Sequence, residues 1–119
     1  GLFNDLFDSA RSVSRILCPA RNAYAKIESI EAALQDISRD TLILAALGPT
    51  ATVLAFRLHR QGYQAIDIGH LDLEYEWYRR RDEQTRPVEF KYTDGTKEGR
   101  RVVSVDDQQY RQQIIASVI

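Results

Sequence analysis

The first half of the chain alternates between apolar runs of strand length and apolar residues at helical spacing. Residues 12–18 read as a short strand that stops before Pro19. An apolar residue at every third or fourth position then predicts a helix over residues 22–38, with a face formed by Tyr24, Ile27, Ile30, Leu34 and Ile37. Asn22 is expected to cap this helix, because its side-chain oxygen can accept hydrogen bonds from free backbone N–H groups. The same spacing over residues 1–11 predicts a shorter amphipathic helix.

A nearly continuous apolar run, TLILAAL, occupies residues 41–47. It predicts a strand that is buried on both faces, as in the centre of a parallel sheet. Gly48 and Pro49 then turn the chain into a second helix over residues 49–61, since proline suits the first helical turn. Gly62 is well placed to end that helix, and YQAIDI (residues 63–68) predicts the next strand.

The order of elements is therefore strand, helix, strand, helix, strand, with short connections. Helices that connect successive apolar strands predict a parallel sheet with right-handed crossovers. The predicted fold class is α/β: one Rossmann-like domain over residues 1–119, with a parallel sheet between two layers of helices.

The last third of the chain is less regular. Residues 70–81 fit either a helix or an alternating strand, and residues 88–92 and 101–105 could pair around a turn at Asp94 and Gly95. Further on, the acidic pair Asp106 and Asp107 suits a helix N-terminus. A final amphipathic helix is predicted from the apolar positions Tyr110, Ile114, Ile115 and Val118.

Composition excludes several classes of protein. With 44% hydrophobic and 28% charged residues, the 119-residue chain is an ordinary globular one rather than a disordered one. The net charge of −1 argues against a dedicated nucleic-acid-binding domain. The single cysteine, Cys18, excludes an internal disulfide, and no apolar run approaches the ~18 residues of a membrane span. Because the chain has no Met and begins with Gly1, we expect a processed or excised fragment.

The first candidate site is the turn GPTAT at residues 48–52. Ligands of open parallel sheets bind beyond the carboxyl ends of the strands, where free N–H groups at a helix N-terminus can hold a phosphate. The alternative is a plain turn in which Thr50 and Thr52 cap their own helix. Gly48 alone is a weak match to a three-glycine dinucleotide fingerprint, although Asp67 lies where a ribose-binding acid would be. The alternative for Asp67 is a carboxylate that caps a nearby turn.

The second candidate is the acidic segment DIGHLDLEYEW, residues 67–77. If it is extended from Gly69 onward, Asp72 and Glu74 project to one side and offer two hard oxygen ligands for Mg²⁺ or Mn²⁺. His70 could act as a metal ligand, a donor to a diphosphate or a base. The alternative is a solvated acidic face with one ordinary histidine.

Three segments of the chain resemble one family. LILAALGPTATVLAFRLHRQGYQAIDIGHLDLEYEWY (residues 42–78) is similar to a stretch of the glycosyltransferases with the GT-D fold, first met as a domain of unknown function in bacterial adhesin and surface-polysaccharide glycosylation loci. CPARNAYAKIESI (residues 18–30) and KYTDGTKEGRRVVSVDDQQYRQQII (residues 91–115) resemble flanking motifs of the same family. The resemblance covers residues 15–115.

The resemblance implies a bacterial, cytoplasmic, metal-dependent enzyme that transfers a hexose from a UDP-sugar to a glycan or glycoprotein acceptor. It implies Mn²⁺ or Mg²⁺ as the metal, with Asp72 and Glu74 as its ligands. His70 joins these two acids as a third catalytic candidate. The donor-binding candidates that the resemblance implies are Gly48, Pro49, Thr50, Asp67 and Asn22, with Asn22 the weakest of the five.

The chain also departs from the family. Its members are longer, and their amino-terminal part carries an acidic motif similar to Gly-Asp-Gly-Glu that is absent here, so which acidic pair holds the metal stays open. The chain resembles the carboxyl-terminal part of such an enzyme, which predicts an apolar edge that packs against an amino-terminal half or a second copy. Two other functions stay open: a non-catalytic nucleotide-binding α/β module, and an interaction domain that uses Trp77 and Tyr78.

Overall fold

The computed structural model describes residues 4–81 and 107–119. Contacts divide these residues into two units, each treated separately below: residues 4–15, 70–81 and 107–115 form the first, and residues 16–69 and 116–119 form the second. The regular elements are β1 (Arg15–Leu17), α1 (Ile27–Leu34), β2 (Leu42–Ala45), α2 (Pro49–Arg60), β3 (Gln64–Asp67), α3 (Leu71–Arg80), α4 (Gln108–Gln113) and β4 (Ile114–Ser117). Short 3₁₀ turns cover Asp5–Phe7 and Ala23–Lys26.

The centre of the second unit is a parallel pair of strands, β2 and β3, connected by helix α2. The register pairs Leu44 with Ile66 and Ala45 with Asp67. Gly62 ends α2 with a φ of +90°, a conformation that glycine adopts without strain. The predicted strand, helix and parallel strand over residues 41–68 are confirmed.

The apolar positions of α1 and α2 recur at helical spacing, and they form the core together with one face of the β2–β3 pair. Its buried residues are Ala23, Ile27, Ile30, Leu34, Ala45, Ala51, Leu54, Leu58 and Tyr63. The Tyr63 hydroxyl donates to the carbonyl oxygens of Leu34 and Ile37, so it satisfies backbone groups at the end of α1. Burial of this apolar surface is the main force that holds the unit together.

The prediction that residues 41–47 are buried on both faces is wrong. Leu42 is 47% exposed and Leu44 is 37% exposed, whereas Ala45 is buried. Within the described residues the helices of this unit cover one face of β2, and β1 pairs with β4 instead of joining β2. The described strands therefore form two small sheets, not the three-layer sheet that we predicted.

The predicted helix over residues 22–38 is shorter than expected, because a 3₁₀ turn precedes α1. Asn22 lies in the left-handed region, with φ 50° and ψ 45°, and its side chain makes no capping hydrogen bond. The expectation that Asn22 caps the helix through its side chain is therefore wrong. Asparagine adopts the left-handed conformation more readily than most residues, so Asn22 contributes to the turn through its backbone rather than its side chain.

In the first unit, residues 70–81 resolve as a helix. Leu73 and Trp77 of α3 are four residues apart and pack together, which a strand would not allow. Asn4 caps the 3₁₀ turn through a bond from the backbone N–H of Leu6, and its own amide donates to Glu76 Oε2 at 2.9 Å. Within residues 4–11, the described part of the amphipathic helix predicted over residues 1–11, the only helical element is this turn.

The last described segment begins as predicted and then differs. Asp107 caps α4 by accepting a 2.9 Å bond from the N–H of Tyr110. The predicted helix does not continue, because residues 114–117 form β4, which pairs with β1. Isoleucines that follow each other favour a strand, and their spacing alone did not distinguish the two structures. The predicted pairing of residues 88–92 with 101–105, and the part assigned to Asp106, lie outside the described residues.

Among the described helices, none combines the length and the apolar character that a membrane crossing requires.

Candidate functional site

The turn between β2 and α2 has backbone angles that glycine adopts readily. Gly48 lies at φ 55° and ψ −145°, and Pro49 begins α2. Because glycine has no side chain, the capping position offers no side-chain acceptor to the first N–H groups of the helix. Such a helix N-terminus attracts an anion through its N–H groups and its dipole.

Thr52 departs from the alternative in which both threonines of α2 cap their own helix. The Thr52 hydroxyl donates to Asp67 Oδ2 at 2.7 Å, which joins the first turn of α2 to the end of β3. Thr50 is 6% exposed. The turn and the strand end are therefore one connected structure.

Asp67, at the end of β3, also makes a hydrogen bond to the turn that follows it. Its Oδ1 accepts a 2.9 Å bond from the backbone N–H of Gly69, so the carboxylate does cap a nearby turn. Asp67 is nevertheless exposed, and each carboxylate oxygen has a further lone pair for a ligand hydroxyl.

The strand register brings these groups to one end of the sheet. Ala45 is paired with Asp67, and the Ala45 carbonyl accepts from the N–H of Ile68 at 2.9 Å. Gly48, Pro49 and Thr50 follow β2 just as Asp67 ends β3, so the carboxyl ends of two neighbouring parallel strands meet here. This is the place where open α/β sheets bind ligands.

Asn22, the fifth predicted donor-binding residue, belongs to the same unit. It is exposed, and its carbonyl accepts from the N–H of Ala25 at 3.1 Å. The hydrogen bonds of the described residues include none between Asn22 and the turn at residues 48–52. Its assignment therefore rests on the sequence motif alone.

The three predicted catalytic residues lie at the start of α3 in the first unit. The His70 carbonyl accepts from the N–H of Glu74 at 2.9 Å, and its imidazole is exposed. Asp72 is half-buried, and Glu74 is exposed. Both acids suit the positive end of the helix dipole.

The expectation that Asp72 and Glu74 project to one side is wrong, because the segment is helical. Residues two apart on a helix point in different directions. Asp72 Oδ1 also accepts from the N–H of Leu73 at 3.0 Å. Among the described residues no three His, Cys, Asp or Glu side chains come together as a metal site. Asp72 and Glu74 therefore do not fit a shared Mn²⁺ or Mg²⁺ ion.

Glu76, the fourth acid of the segment, is engaged in structural contacts. It accepts from Asn4 and lies 3.6 Å from Arg79 and 3.8 Å from Arg80. On the same helix the Tyr75 hydroxyl donates to Asp5 at 2.7 Å, which lowers the pKa of that carboxyl. Asn4 and Asp5, at the amino-terminal 3₁₀ turn, thus contact this part of α3.

Asp72 lies close enough to Arg15 to influence its pKa, a proximity that the sequence did not predict. The Arg15 guanidinium lies 4.6 Å from the centre of the buried Tyr110 ring, and its Nε donates to Gln113 Oε1 at 2.7 Å. Burial lowers the pKa of Arg15, and the charges of Tyr110 and Asp72 oppose this shift. Because Arg15 and Gln113 are 98 residues apart, no local pattern could have paired them.

The second unit also contains Cys18 and His59. Burial raises the pKa of the Cys18 thiol to about 11, so the thiol stays protonated and is a poor nucleophile at neutral pH. His59 lies on an exposed position of α2.

Comparison with known proteins gives consistent results. The family model for the glycosyltransferase GT-D fold matches residues 1–96. The chain is 45% identical over 118 residues to the probable glycosyl transferase Gly of Streptococcus gordonii, a match to 99% of this chain and 17% of that protein. It is 37% identical over 119 residues to glycosyltransferase GlyD of Streptococcus pneumoniae serotype 4, a match to 100% of this chain and 15% of that protein.

Two solved structures are also similar to this chain. A structure described as a new glycosyltransferase from Streptococcus sanguinis matches with a TM-score of 0.87 and 44% identity, over 98% of this chain and 43% of that one. A second, described as a highly conserved domain of unknown function with a distinct glycosyltransferase fold, matches with a TM-score of 0.84 and 40% identity, over 96% of this chain and 41% of that one. The chain thus spans less than half of each solved chain and less than a fifth of each curated relative.

Proposed function

Because the chain belongs to the glycosyltransferase GT-D fold family, we propose that it forms part of an enzyme that transfers a hexose from a UDP-sugar to a glycan or glycoprotein acceptor. The proposal keeps the cytoplasmic location that the sequence resemblance implies. The chain's own share of the work is to bind the donor and to supply groups for the transfer.

The observation that supports donor binding is the hydrogen bond between Thr52 and Asp67. It fixes the Asp67 carboxylate beside the N-terminus of α2, which has no side-chain cap, at the carboxyl ends of β2 and β3. In the proposed complex, the backbone N–H of Thr50 at the N-terminus of α2 donates to the diphosphate, and Asp67 accepts from the ribose hydroxyls. Gly48 and Pro49 shape the turn so that the diphosphate can approach the backbone, and Asn22 is assigned to the same donor pocket.

The proposed chemistry follows from the charge on the leaving group. As the hexose departs, negative charge grows on the UDP diphosphate, and donors that are already oriented stabilise that charge. The helix N-terminus supplies such donors, and His70 is proposed as a further one. Asp72 or Glu74 takes the proton from the acceptor hydroxyl as general base. Since the two acids point in different directions from α3, the proposal requires only one of them as base.

The expected metal, Mn²⁺ or Mg²⁺, has no ligand set in the described part of this chain. Two carboxylates on non-facing helix positions do not fit one ion, and the described residues contain no cluster of three ligands. The steps above therefore use hydrogen-bond donors and a carboxylate base only.

A second candidate function, a non-catalytic nucleotide-binding module, is favoured by one observation. The turn at residues 48–52 and Asp67 are connected within the second unit, and nucleotide binding needs nothing from α3. The two candidates differ in whether Asp72, Glu74 and His70 affect transfer.

The experiment that tests donor binding is titration of UDP into the chain by calorimetry, with and without Mn²⁺. We expect Asp67→Ala to weaken UDP binding by about tenfold or more, since a charge-assisted hydrogen bond is lost. Asp36→Ala removes an exposed acid that follows α1 and is the matched control. Equal affinity of Asp67→Ala and the unmodified chain would contradict the proposed pocket.

The test of catalysis uses an active enzyme that contains this chain. Asp72→Asn and Glu74→Gln keep the size of each side chain and remove its basicity, so the variant of the true base loses transfer by about a hundredfold or more. UDP affinity should stay within a factor of about two in both variants. Full transfer activity in both variants would favour the binding module.

A further inference from the structure

Two residues at the amino-terminal 3₁₀ turn hold the middle of helix α3. The Asn4 amide donates to Glu76 Oε2 at 2.9 Å, and the Tyr75 hydroxyl donates to Asp5 Oδ1 at 2.7 Å. The Arg79 guanidinium lies 3.7 Å from Asp5 and 3.6 Å from Glu76, so it links the two contacts. The bonded partners are 72 and 70 residues apart, so only the tertiary structure brings them together.

The two held positions of α3 are the helix neighbours of Asp72. Residues three and four apart lie next to each other on a helix, so Tyr75 and Glu76 are adjacent to Asp72 in the following turn. Helix side chains also lean toward the N-terminus, which directs Tyr75 and Glu76 toward Asp72. All three residues are half-buried. The contacts from Asn4 and Asp5 therefore fix the part of α3 that surrounds Asp72.

Glu74 lies on a different part of the helix surface and is exposed. Its neighbours three and four positions further on are Trp77, which packs against Leu73, and Tyr78, which is 63% exposed. A general base must be held within hydrogen-bond distance of the proton that it removes. An acid beside two anchored residues suits this role better than an acid on a solvated surface.

The side chain of Asn4 suits both of its contacts. Its Oδ1 caps the 3₁₀ turn by accepting from the N–H of Leu6 at 3.1 Å, while its amide nitrogen donates to Glu76. The Glu76 side chain is only 15% exposed, and a carboxylate removed from water needs hydrogen-bond donors. Aspartate in place of Asn4 would keep the cap, lose the donor and repel Glu76.

We propose that Asn4 and Asp5 are positioning residues for Asp72, and that Asp72 rather than Glu74 is the general base of the transfer. They act through Glu76 and Tyr75, which fix the rotation of α3 about its axis and so the direction of the Asp72 carboxylate. This inference rests on the proposed function, in which either acid could serve as the base.

The test is steady-state kinetics of an active enzyme that contains this chain, with rates expressed per folded molecule after a urea titration of each variant. We expect Asn4→Asp to lower kcat by about tenfold or more, because a small displacement of a catalytic group is costly. The KM for the UDP-sugar should change by less than about twofold. Ser9→Asp is the matched control, because it adds the same charge at an exposed position of the same segment and should change neither value.

Double variants separate positioning from general stability. In an Asp72→Asn background the base is already lost, so Asn4→Asp should lower the remaining transfer by less than about twofold. In a Glu74→Gln background the same substitution should still cost about tenfold. Tyr75→Phe removes the second contact and should follow the same pattern, which provides an independent measurement should Asn4→Asp fail to fold.

A reversed hydrogen bond provides the rescue. When Glu76→Gln is added to Asn4→Asp, the new amide can donate to the new carboxylate, and the contact is restored with donor and acceptor exchanged. We expect kcat of this double variant to return to within about threefold of the unmodified enzyme. No recovery would show that Asn4 does not act through Glu76 and would overturn the proposal.

Three further outcomes would overturn it and leave the proposed function standing. The first is an unchanged kcat in both Asn4→Asp and Tyr75→Phe. The second is an equal loss from Asn4→Asp with and without Asp72→Asn, since the role would then be structural only. The third is loss of transfer in Glu74→Gln and not in Asp72→Asn. Full transfer in both of these acid variants would instead contradict the proposed base, and this inference with it.

Discussion

The hydroxyl of Thr52 donates a 2.7 Å hydrogen bond to Oδ2 of Asp67, fifteen residues further along the chain. The bond connects the first turn of α2 to the last residue of β3. Since Asp67 also accepts from the N–H of Gly69, its carboxylate is held on both oxygens. The orientation of the Asp67 carboxylate therefore depends on Thr52.

Replacing Thr52 by valine tests this dependence. Thr52→Val removes the hydroxyl at nearly constant shape and leaves Asp67 with one of its two bonds. We expect the Kd for UDP, measured by calorimetry, to rise by about three- to tenfold, the value of one hydrogen bond. Thr52→Ser keeps the hydroxyl and should bind UDP as the unmodified chain does. Unchanged affinity in Thr52→Val would show that Asp67 is positioned without Thr52.

Gly48→Ala tests the backbone of the turn. A Cβ at this position would meet no atom within 4 Å, so the cost of the substitution comes from the backbone angles alone. With φ at 55° and ψ at −145°, we expect the free energy of unfolding to fall by about 1–3 kcal/mol in urea titrations. Pro49→Ala alters the same turn at an ordinary φ and should cost less than about 1 kcal/mol. Equal stability of Gly48→Ala and the unmodified chain would mean that the turn adjusts freely.

Tyr63→Phe tests the polar contact in the core. The Tyr63 hydroxyl serves two backbone carbonyls near the end of α1, and the residue is 2% exposed. Phenylalanine removes this donor, but the Leu34 carbonyl keeps the N–H of Ile37 and the Ile37 carbonyl keeps the Arg39 side chain. The free energy of unfolding should therefore fall by about 0.5–1.5 kcal/mol, the value of one hydrogen bond. Tyr24→Phe, at a residue 57% exposed, should stay within about 0.5 kcal/mol. A Tyr63→Phe chain as stable as the original would contradict a structural part for the hydroxyl.

Cys18 predicts a specific dependence on pH. Burial raises the pKa of its thiol from 9.0 to about 11, so between these values the folded chain keeps a proton that the unfolded chain releases. Stability should therefore decrease as the pH rises from 9 toward 11, and a Cys18→Ala chain should lack this component. Iodoacetamide should modify the folded chain about a hundredfold more slowly than the unfolded chain at pH 8. Equal rates in the two states would show that the thiol is not shielded.

Local sequence predicts the part of the fold that local contacts build. The ends of β2, α2 and β3 lie close to the predicted positions. They were predicted from the apolar run at residues 41–47, the Gly48–Pro49 turn and Gly62, features that determine the structure of the residues next to them. The same reasoning found the capping carboxylate of Asp107. It also identified Asp67 both as a site candidate and as a turn cap.

The remaining differences between prediction and structure arise where a residue contacts residues that are distant in sequence or where two patterns fit the same segment. Ile114 and Ile115 form a strand because β1 is there to pair with them, and β1 lies at the other end of the chain. Asp72 and Glu74 were expected to project together because an alternating pattern also fits residues 70–77, yet Leu73 and Trp77 pack as helix neighbours. Arg15 was missed because its partners are Tyr110 and Gln113.

The pairing of β1 with β4 has a consequence for how the chain acquires its structure. β2 and β3 are separated by a single helix, whereas Arg15 on β1 and its partner Gln113 are 98 residues apart. Closing the longer loop costs more entropy, so the β2–α2–β3 unit is expected to form first. During synthesis β1 remains an unpaired edge until residues 114–117 leave the ribosome. Of the four described strands, β1 comes before the other three in sequence, and yet it is expected to pair last.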